Sequence, residues 1–177
     1  MGYPTVSQFD KQFIARTIEN LDGEVKNTFT HLLNSLLGLV ICPRQWNTLG
    51  RRIPVFFACK LIDFSELDFL KEATTFSDEY NKNHEIYKLS FRGKKYEEIT
   101  LKDVIDKLRH SIAHQSIRPT KEENKWEGII FRSYPADPIA ALWEDNFSMQ
   151  MYLTQSEIRT LVLFIAQRYL DELDHDN

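Results

Sequence analysis

The stretch "TLKDVIDKLRHSIAH", residues 100–114, decides the fold of this chain because it has the pattern of one amphipathic helix. Its apolar residues recur every three or four positions, which places them on one stripe of a helix. They are Leu101, Val104, Ile105, Leu108 and Ile112. At about 100° per residue, Arg109, His110 and His114 fall beside that stripe. The pattern predicts a helix that buries one face and projects an arginine and two imidazoles from neighbouring turns.

Signals at both ends bound this helix. Thr100 and Asp103 have the spacing of a capping box, in which a hydroxyl and a carboxylate satisfy free amides of the first turn. Pro119 biases Arg118 away from helical backbone, so the helix should end shortly after His114. We therefore expect His114 in the last turn, where the negative end of the helix dipole favours a protonated imidazole.

Length and composition indicate a single globular domain over residues 1–177, since 177 residues can bury a full core. No apolar stretch reaches the ~20 residues that a membrane-spanning helix needs. The N-terminal sequence "MGYPTVSQFDKQ" lacks the basic and then apolar order of a secretion signal. The expectation is a cytoplasmic protein without a membrane segment.

Periodicity predicts further helical regions on both sides of the motif helix. They cover approximately residues 9–21, 25–41, 55–76 and 154–173. In the third region Ser65 is the expected cap, and one or two short helices fit the pattern. The fourth begins with a capping box between Thr154 and Glu157.

Strand patterns are few and short. "IYKLSFRGKK", residues 86–95, alternates apolar and polar side chains before a glycine, which favours a short strand. Residues 128–131 and 147–153 resemble two strands joined by a proline-containing insert. The predicted fold class is mainly α, a helical bundle with a small β-hairpin before the C-terminal helix.

The charge distribution is more informative than the net charge of −4. Basic residues cluster in three places, and the third cluster flanks the arginine and the histidines. The clusters are Arg44, Arg51 and Arg52; Arg92, Lys94 and Lys95; and Lys107, Arg109, Arg118 and Lys121. A local basic cleft can hold a nucleic-acid backbone even on an acidic protein, although solvated loop charges would give the same pattern.

Metal and cofactor chemistry find little support. His110 and His114 are four residues apart, which is also the spacing of a two-histidine metal site, but a third ligand and an HExxH motif are lacking. The sequence has no P-loop, Rossmann glycine pattern or GxSxG elbow. Cys42 and Cys59 lack metal-type spacing and are expected to be buried free thiols. The alternative, a disulfide between them, would imply an oxidising compartment, of which the sequence gives no other sign. We expect no metal and no cofactor.

"LRHSIAH", residues 108–114, resembles the Arg-x4-His motif of the HEPN superfamily, whose active members are metal-independent endoribonucleases. His110 stands at the position where that motif has Asn, Asp or His. "LLNSLLGLVICP", residues 32–43, and "WEGIIFRS", residues 126–133, resemble the plasmid-borne pEK499 HEPN group. The resemblance implies a HEPN-like helical bundle.

The same resemblance implies a function. Arg109 and His114 would be catalytic and His110 would support them, cleaving RNA through attack of the 2′-OH. The implied site is composite and lies at a homodimer interface, so the expected partners are RNA and a second copy of the chain. A toxin or an antiviral defence effector is the implied role, with a cognate antitoxin or another protein as a candidate partner.

Two other functions fit the residues. A non-catalytic HEPN module would bind nucleotides or RNA, or would pair with another protein. An ordinary helical interaction protein would carry the motif by coincidence, since a lone Arg and His on a helix are usually surface residues. In the last case, Arg109 and His114 should be far apart or buried in ion pairs.

Overall fold

The computed structural model describes seven ranges of the chain. They are residues 14–15, 17–20, 30–39, 55–74, 86–122, 125–135 and 146–175. No helix within these ranges is long and apolar enough to cross a membrane.

The chain divides into two compact units, each held together mostly by its own contacts. One unit comprises Met1–Phe57 together with Ile158–Asn177, and the other comprises Ala58–Glu157. The prediction of one domain over residues 1–177 stays a prediction.

The first unit is helical in its described part. Helix α1 contains residues 14–15 and 17–20, and helix α2 contains residues 30–39. Both match the predicted helices, and Leu32, Leu36 and Leu39 of α2 are at most 2% exposed. These leucines recur at spacings of three and four, so one face of α2 belongs to the core.

Aromatic packing joins the long C-terminal helix to the start of the 3₁₀ helix Val55–Ala58. Helix α4 spans Gln155–His175, two residues beyond its predicted end. The Tyr169 ring lies edge-on to Phe56 and Phe57, with ring centroids 5.3 and 5.6 Å apart. Such edge-to-face pairs add to the stabilisation that burial of the rings already provides.

The second unit contains two small antiparallel sheets. Strands β1 and β2, Ala73–Thr74 and Ile86–Tyr87, pair with each other. The larger sheet has the order β3-β6-β5-β4. Its strands are β3, Leu89–Phe91; β4, Ile117–Glu122; β5, Lys125–Ser133; and β6, Met149–Thr154.

One apolar row crosses the four-stranded sheet. Leu89 pairs with Met151, Met151 with Phe131, and Phe131 with Ile117. Leu89, Met151 and Phe131 are at most 5% exposed. Helix α3, Leu101–Ala113, lies against β5 of this sheet. This buried apolar row therefore fixes the register of the strands, and the motif helix packs against the sheet that they form.

The fold class is mainly α, as predicted, with a small antiparallel sheet. The predicted hairpin is present as the β5–β6 pair, but it is the centre of a four-stranded sheet. Strand β4 was not predicted, because Pro119 and its polar neighbours are unfavourable in most strands. The structure places β4 at the sheet edge, where proline is tolerated.

The predicted helical region 55–76 is wrong in detail. Three short 3₁₀ helices stand where one or two short helices were predicted: Val55–Ala58, Leu61–Asp63 and Ser65–Lys71. Ser65 does not cap the third one; Phe64 occupies that position and makes no side-chain capping bond. Short 3₁₀ turns are common as connectors, and the chain then enters β1 rather than continuing as helix.

A buried ammonium group links three segments of the second unit. Lys88, between β2 and β3, is 9% exposed and bonds to Glu72 and Glu157. Burial alone would lower the Lys88 pKa, but the bonds to the two carboxylates outweigh it and the pKa is raised. Glu157 also accepts from the Thr154 amide in the predicted capping box, which is confirmed.

Candidate functional site

The motif helix begins with the predicted capping box. The Asp103 amide donates to Thr100 Oγ1 at 3.2 Å, and the Thr100 amide donates to Asp103 Oδ2 at 2.9 Å. Lys94 forms an ion pair with the same carboxylate at 2.8 Å. Burial by itself raises the Asp103 pKa, but the bonds from Lys94 and Thr100 outweigh it and lower the pKa below 3.8. The carboxylate stays ionised, which suits the positive end of the helix dipole.

The buried face of α3 differs from the predicted stripe at its last position. Leu101, Val104, Ile105 and Leu108 are at most 3% exposed, as expected. Ile112 is only half-buried, and Ser111 is 1% exposed instead. Ser111 tolerates this burial because its hydroxyl donates to the Lys107 carbonyl at 2.8 Å.

The helix ends one residue earlier than predicted. His114 is the C-cap rather than a member of the last turn, and Gln115 takes a left-handed backbone with φ 53°. The Ser116 amide donates to the Ser111 carbonyl at 2.7 Å, and the Gln115 amide donates to the Ile112 carbonyl at 3.1 Å. These two bonds form a Schellman motif, which normally uses glycine at the left-handed position.

This closure fixes the direction of the chain after the histidine. The His114 amide still donates to the His110 carbonyl at 3.0 Å, so the backbone of both histidines belongs to one rigid turn. Strand β4 begins two residues after Gln115. No glycine follows the helix, so sequence patterns could not identify this closure.

The three predicted site residues lie together at the end of α3. Arg109, His110 and His114 are all exposed. The His110 and His114 rings are 4.9 Å apart between centroids and meet at 72°. Arg109 makes no hydrogen bond or ion pair with any described residue. The helix therefore presents a guanidinium and two imidazoles to solvent.

Partial burial and neighbouring positive groups lower the pKa of His110. Burial lowers the pKa of His110 below 6.5, and repulsion from His114, Lys107 and Arg109 acts in the same direction. Asp106 opposes these effects without reversing them. At neutral pH, His110 is therefore an uncharged imidazole that can accept a hydrogen bond.

The sequence did not reveal how the motif helix is held to the sheet. Lys107 Nζ donates to Ser148 Oγ at 3.0 Å, and Ser148 Oγ donates to the Ser133 carbonyl at 2.8 Å. Lys107 was predicted only as part of a basic cluster. It is in fact half-buried and links the turn before the histidines to the β5–β6 pair. A lysine at the edge of an apolar stripe gives no sequence signal for such a bond.

Only some of the other basic residues lie within the described ranges. Arg92, Lys94, Lys95 and Arg118 are exposed, as a binding surface requires. Arg44, Arg51 and Arg52 lie outside the described residues, as does the side chain of Lys121. Lys94 is paired with Asp103. Arg109 and Arg118 are the exposed arginines near the histidines in sequence.

Within the described ranges, no three His, Cys, Asp or Glu residues converge as a metal site would require. Cys59 is a free, half-buried thiol, and Cys42 lies outside those ranges. What the exposed groups can do is bind an anion through Arg109 and exchange protons through an imidazole.

Comparison with known proteins identifies the family. No curated protein and no solved structure matches the chain significantly. A profile of the family described as HEPN pEK499 p136 matches residues 1–176, almost the full length of the sequence. The resemblance inferred from the motif and its surroundings is thus confirmed, and the chain belongs to the HEPN pEK499 p136 family.

Proposed function

We propose that this protein is a metal-independent endoribonuclease whose site is centred on Arg109 and His114. The observation that carries the proposal is the exposure of Arg109, His110 and His114 together at one end of α3 in a HEPN chain. Exposed side chains that do not pack in the core are available to contact a substrate. Ionisable groups clustered on one helical turn mark candidate sites.

The chemistry needs only the RNA and these side chains. One imidazole removes the 2′-OH proton as the 2′-oxygen attacks the adjacent phosphorus, and the bond from phosphorus to the 5′-oxygen breaks. An imidazolium returns a proton to the leaving 5′-oxygen. Arg109 binds the non-bridging oxygens, where negative charge develops. The products are a 2′,3′-cyclic phosphate and a 5′-hydroxyl, and DNA resists because it lacks the 2′-OH.

His110 receives a supporting role in this proposal. Its lowered pKa leaves it uncharged at neutral pH, so it adds no positive charge beside His114. Its ring, 4.9 Å away, restricts the positions that the His114 ring can take. His110→Ala should therefore reduce cleavage less than His114→Ala does.

We further propose that the complete site forms in a homodimer. Two proton transfers are needed, and with His110 in a supporting role each protomer supplies one catalytic imidazole, His114, beside Arg109. A two-fold axis near Arg109 would place two copies of the pair in one cleft. Sedimentation should show a dimer at micromolar concentration. A monomer at that concentration would contradict the composite site.

The proposed activity is tested with purified protein and single-stranded RNA in EDTA. Arg109→Ala and His114→Ala should each reduce cleavage by about 10²–10⁴-fold. The two variants should keep the melting temperature and the oligomeric state of the wild type, because both side chains are exposed. Lys102→Ala is the matched control: Lys102 is exposed on the same helix and, among the described residues, pairs with Asp106.

A wild type that binds RNA without cutting it under any metal condition would favour the non-catalytic HEPN module instead. The role as a toxin or defence effector, with an antitoxin as partner, is part of the proposal. Growth arrest on expression, lost with His114→Ala, would support it. Equal arrest by the variant would contradict a role that depends on cleavage.

A further inference from the structure

A cleft of about 510 Å³ opens on the second unit, away from the histidines. Its walls come from the 3₁₀ helix Ser65–Lys71, strand β3 and the turn that precedes the motif helix. This volume lies within the range of small-molecule sites, roughly 300–1,000 Å³. Leu89 and Phe91 supply apolar surface, and Tyr96 supplies a second aromatic ring. Such walls suit a planar apolar group.

Lysines outnumber acidic residues among the side chains that line the rim of the cleft. Lys71, Lys94 and Lys95 line it, against the single acidic residue Glu97. Lys71 pairs with Asp68 and Lys94 with Asp103. The Lys95 ammonium forms no ion pair within the described ranges, and the residue is exposed. Lys95 is thus the cation on this rim that can receive an incoming anion.

The aromatic wall carries an unused hydrogen-bonding group. The Tyr96 hydroxyl is buried and has no hydrogen-bond partner among the described residues. Burial, with help from Asp68 and Glu97, raises the pKa of Tyr96 to about 12, so the phenol keeps its proton. Lys71 Nζ lies 5.5 Å from the centre of the Tyr96 ring. A hydrogen-bond acceptor placed beside this hydroxyl would satisfy it.

The cleft is separate from the proposed RNA-cleaving site. The ion pair from Lys94 joins it to Asp103 in the first turn of α3, whereas His114 caps the other end of that 13-residue helix. At 1.5 Å per residue the two ends are about 20 Å apart.

We propose that this cleft binds a small aromatic anion, a planar ring that carries a phosphate or carboxylate and is about as large as a mononucleotide. The ring packs between the apolar wall and the aromatic side chains. The anionic group lies at the rim, bonded to the Lys95 ammonium and the Tyr96 hydroxyl. No covalent step is involved.

The test measures binding to the full chain by calorimetry and by amide shifts in nuclear magnetic resonance. The probes are adenosine monophosphate, adenosine and inorganic phosphate, which separate the ring from the charge. We expect the monophosphate to bind with a Kd on the order of 0.1 mM, and each part alone about tenfold more weakly. A short oligoadenylate tests the source of the ligand: stronger binding than the monophosphate assigns the cleft to RNA, and weaker binding assigns it to free ligands.

Two variants locate the ligand. Lys95→Met removes the charge and keeps the aliphatic stem, and Tyr96→Phe removes only the unpartnered hydroxyl, so neither should destabilise the fold. Each should weaken binding of the monophosphate by about fivefold or more. Lys102→Met is the matched control, an exposed lysine outside the cleft, and it should bind as the wild type does.

The proposal is overturned if the monophosphate shows no saturable binding at millimolar concentration. It also fails if Lys102→Met weakens binding as much as Lys95→Met, or if the shifted amides lie outside residues 70–71 and 89–99. Because this readout is equilibrium binding, its failure leaves the RNA-cleavage test unaffected.

Discussion

Replacing Thr100 by alanine should weaken the motif helix at its start. Thr100 Oγ1 accepts from the Asp103 amide at 3.2 Å and donates to Asp103 Oδ2 at 2.8 Å, so the substitution removes two bonds. The bond from the Thr100 amide to Asp103 survives, as does the ion pair with Lys94. The loss is therefore one half of a capping box.

The cost can be bounded from these contacts. Removing a capping hydroxyl typically costs about 0.5–2 kcal/mol of protein stability. The Asp103 carboxylate keeps two partners and 28% side-chain exposure, so no buried charge is left alone. We expect a loss of about 1 kcal/mol, which lowers the Tm by roughly 2–4 °C in a chain of this length.

Urea unfolding, followed by circular dichroism, measures this loss. Ser65→Ala is the matched control, since the sequence predicts Ser65 as a cap but its hydroxyl bonds only to the exposed Glu66 at 3.3 Å. We expect the Ser65 variant within about 0.5 kcal/mol of the wild type. Equal losses in the two variants, or none in Thr100→Ala, would refute the capping argument.

Three further predictions concern the backbone and pH. Gln115→Gly should stabilise the protein by about 0.5–1 kcal/mol in the same assay, because glycine takes the left-handed conformation without strain; a loss of stability would contradict the Schellman assignment. Gly128→Ala should destabilise by about 1–3 kcal/mol, because its Cβ would lie 2.4 Å from the Leu153 carbonyl oxygen; a neutral result would refute the tight β5–β6 contact. The lowered pKa of His110 means that the folded state binds protons less readily than the unfolded state, so stability is lost as pH falls from 6.5 towards the folded pKa. His110→Asn should flatten that loss as the pH falls through about 6.5; an unchanged slope would count against it.

The sequence predicts the motif helix well because its signals are local. The apolar spacing of Leu101, Val104 and Leu108 and the capping box at Thr100 all lie within fifteen residues, and the structure confirms them. The exposure of Arg109 and His114 follows from the same periodicity. Local patterns of this kind do not depend on the rest of the chain.

What the sequence could not predict depends on partners distant along the chain. Strand β4 is a strand only because β5 pairs with it, despite Pro119. The bond between Lys107 and Ser148 joins residues 41 positions apart, and the local sequence around either residue carries no pattern that predicts it. Ser65 looks like a cap, yet the chain forms a 3₁₀ turn in which Phe64 takes that position. The roles of Arg109, His110 and His114 stay predictions for the same reason, since the proposed composite site includes a second chain.

The chemistry of the RNA ends tests the central claim most directly. RNA is incubated with the wild type in EDTA, and the new ends are identified by mass spectrometry and by their resistance to end-specific enzymes. The proposed mechanism predicts 2′,3′-cyclic phosphate and 5′-hydroxyl ends that disappear with His114→Ala and persist with Lys102→Ala. Absence of cleavage by the wild type with or without metal, or cleavage by His114→Ala at the wild-type rate, would contradict it.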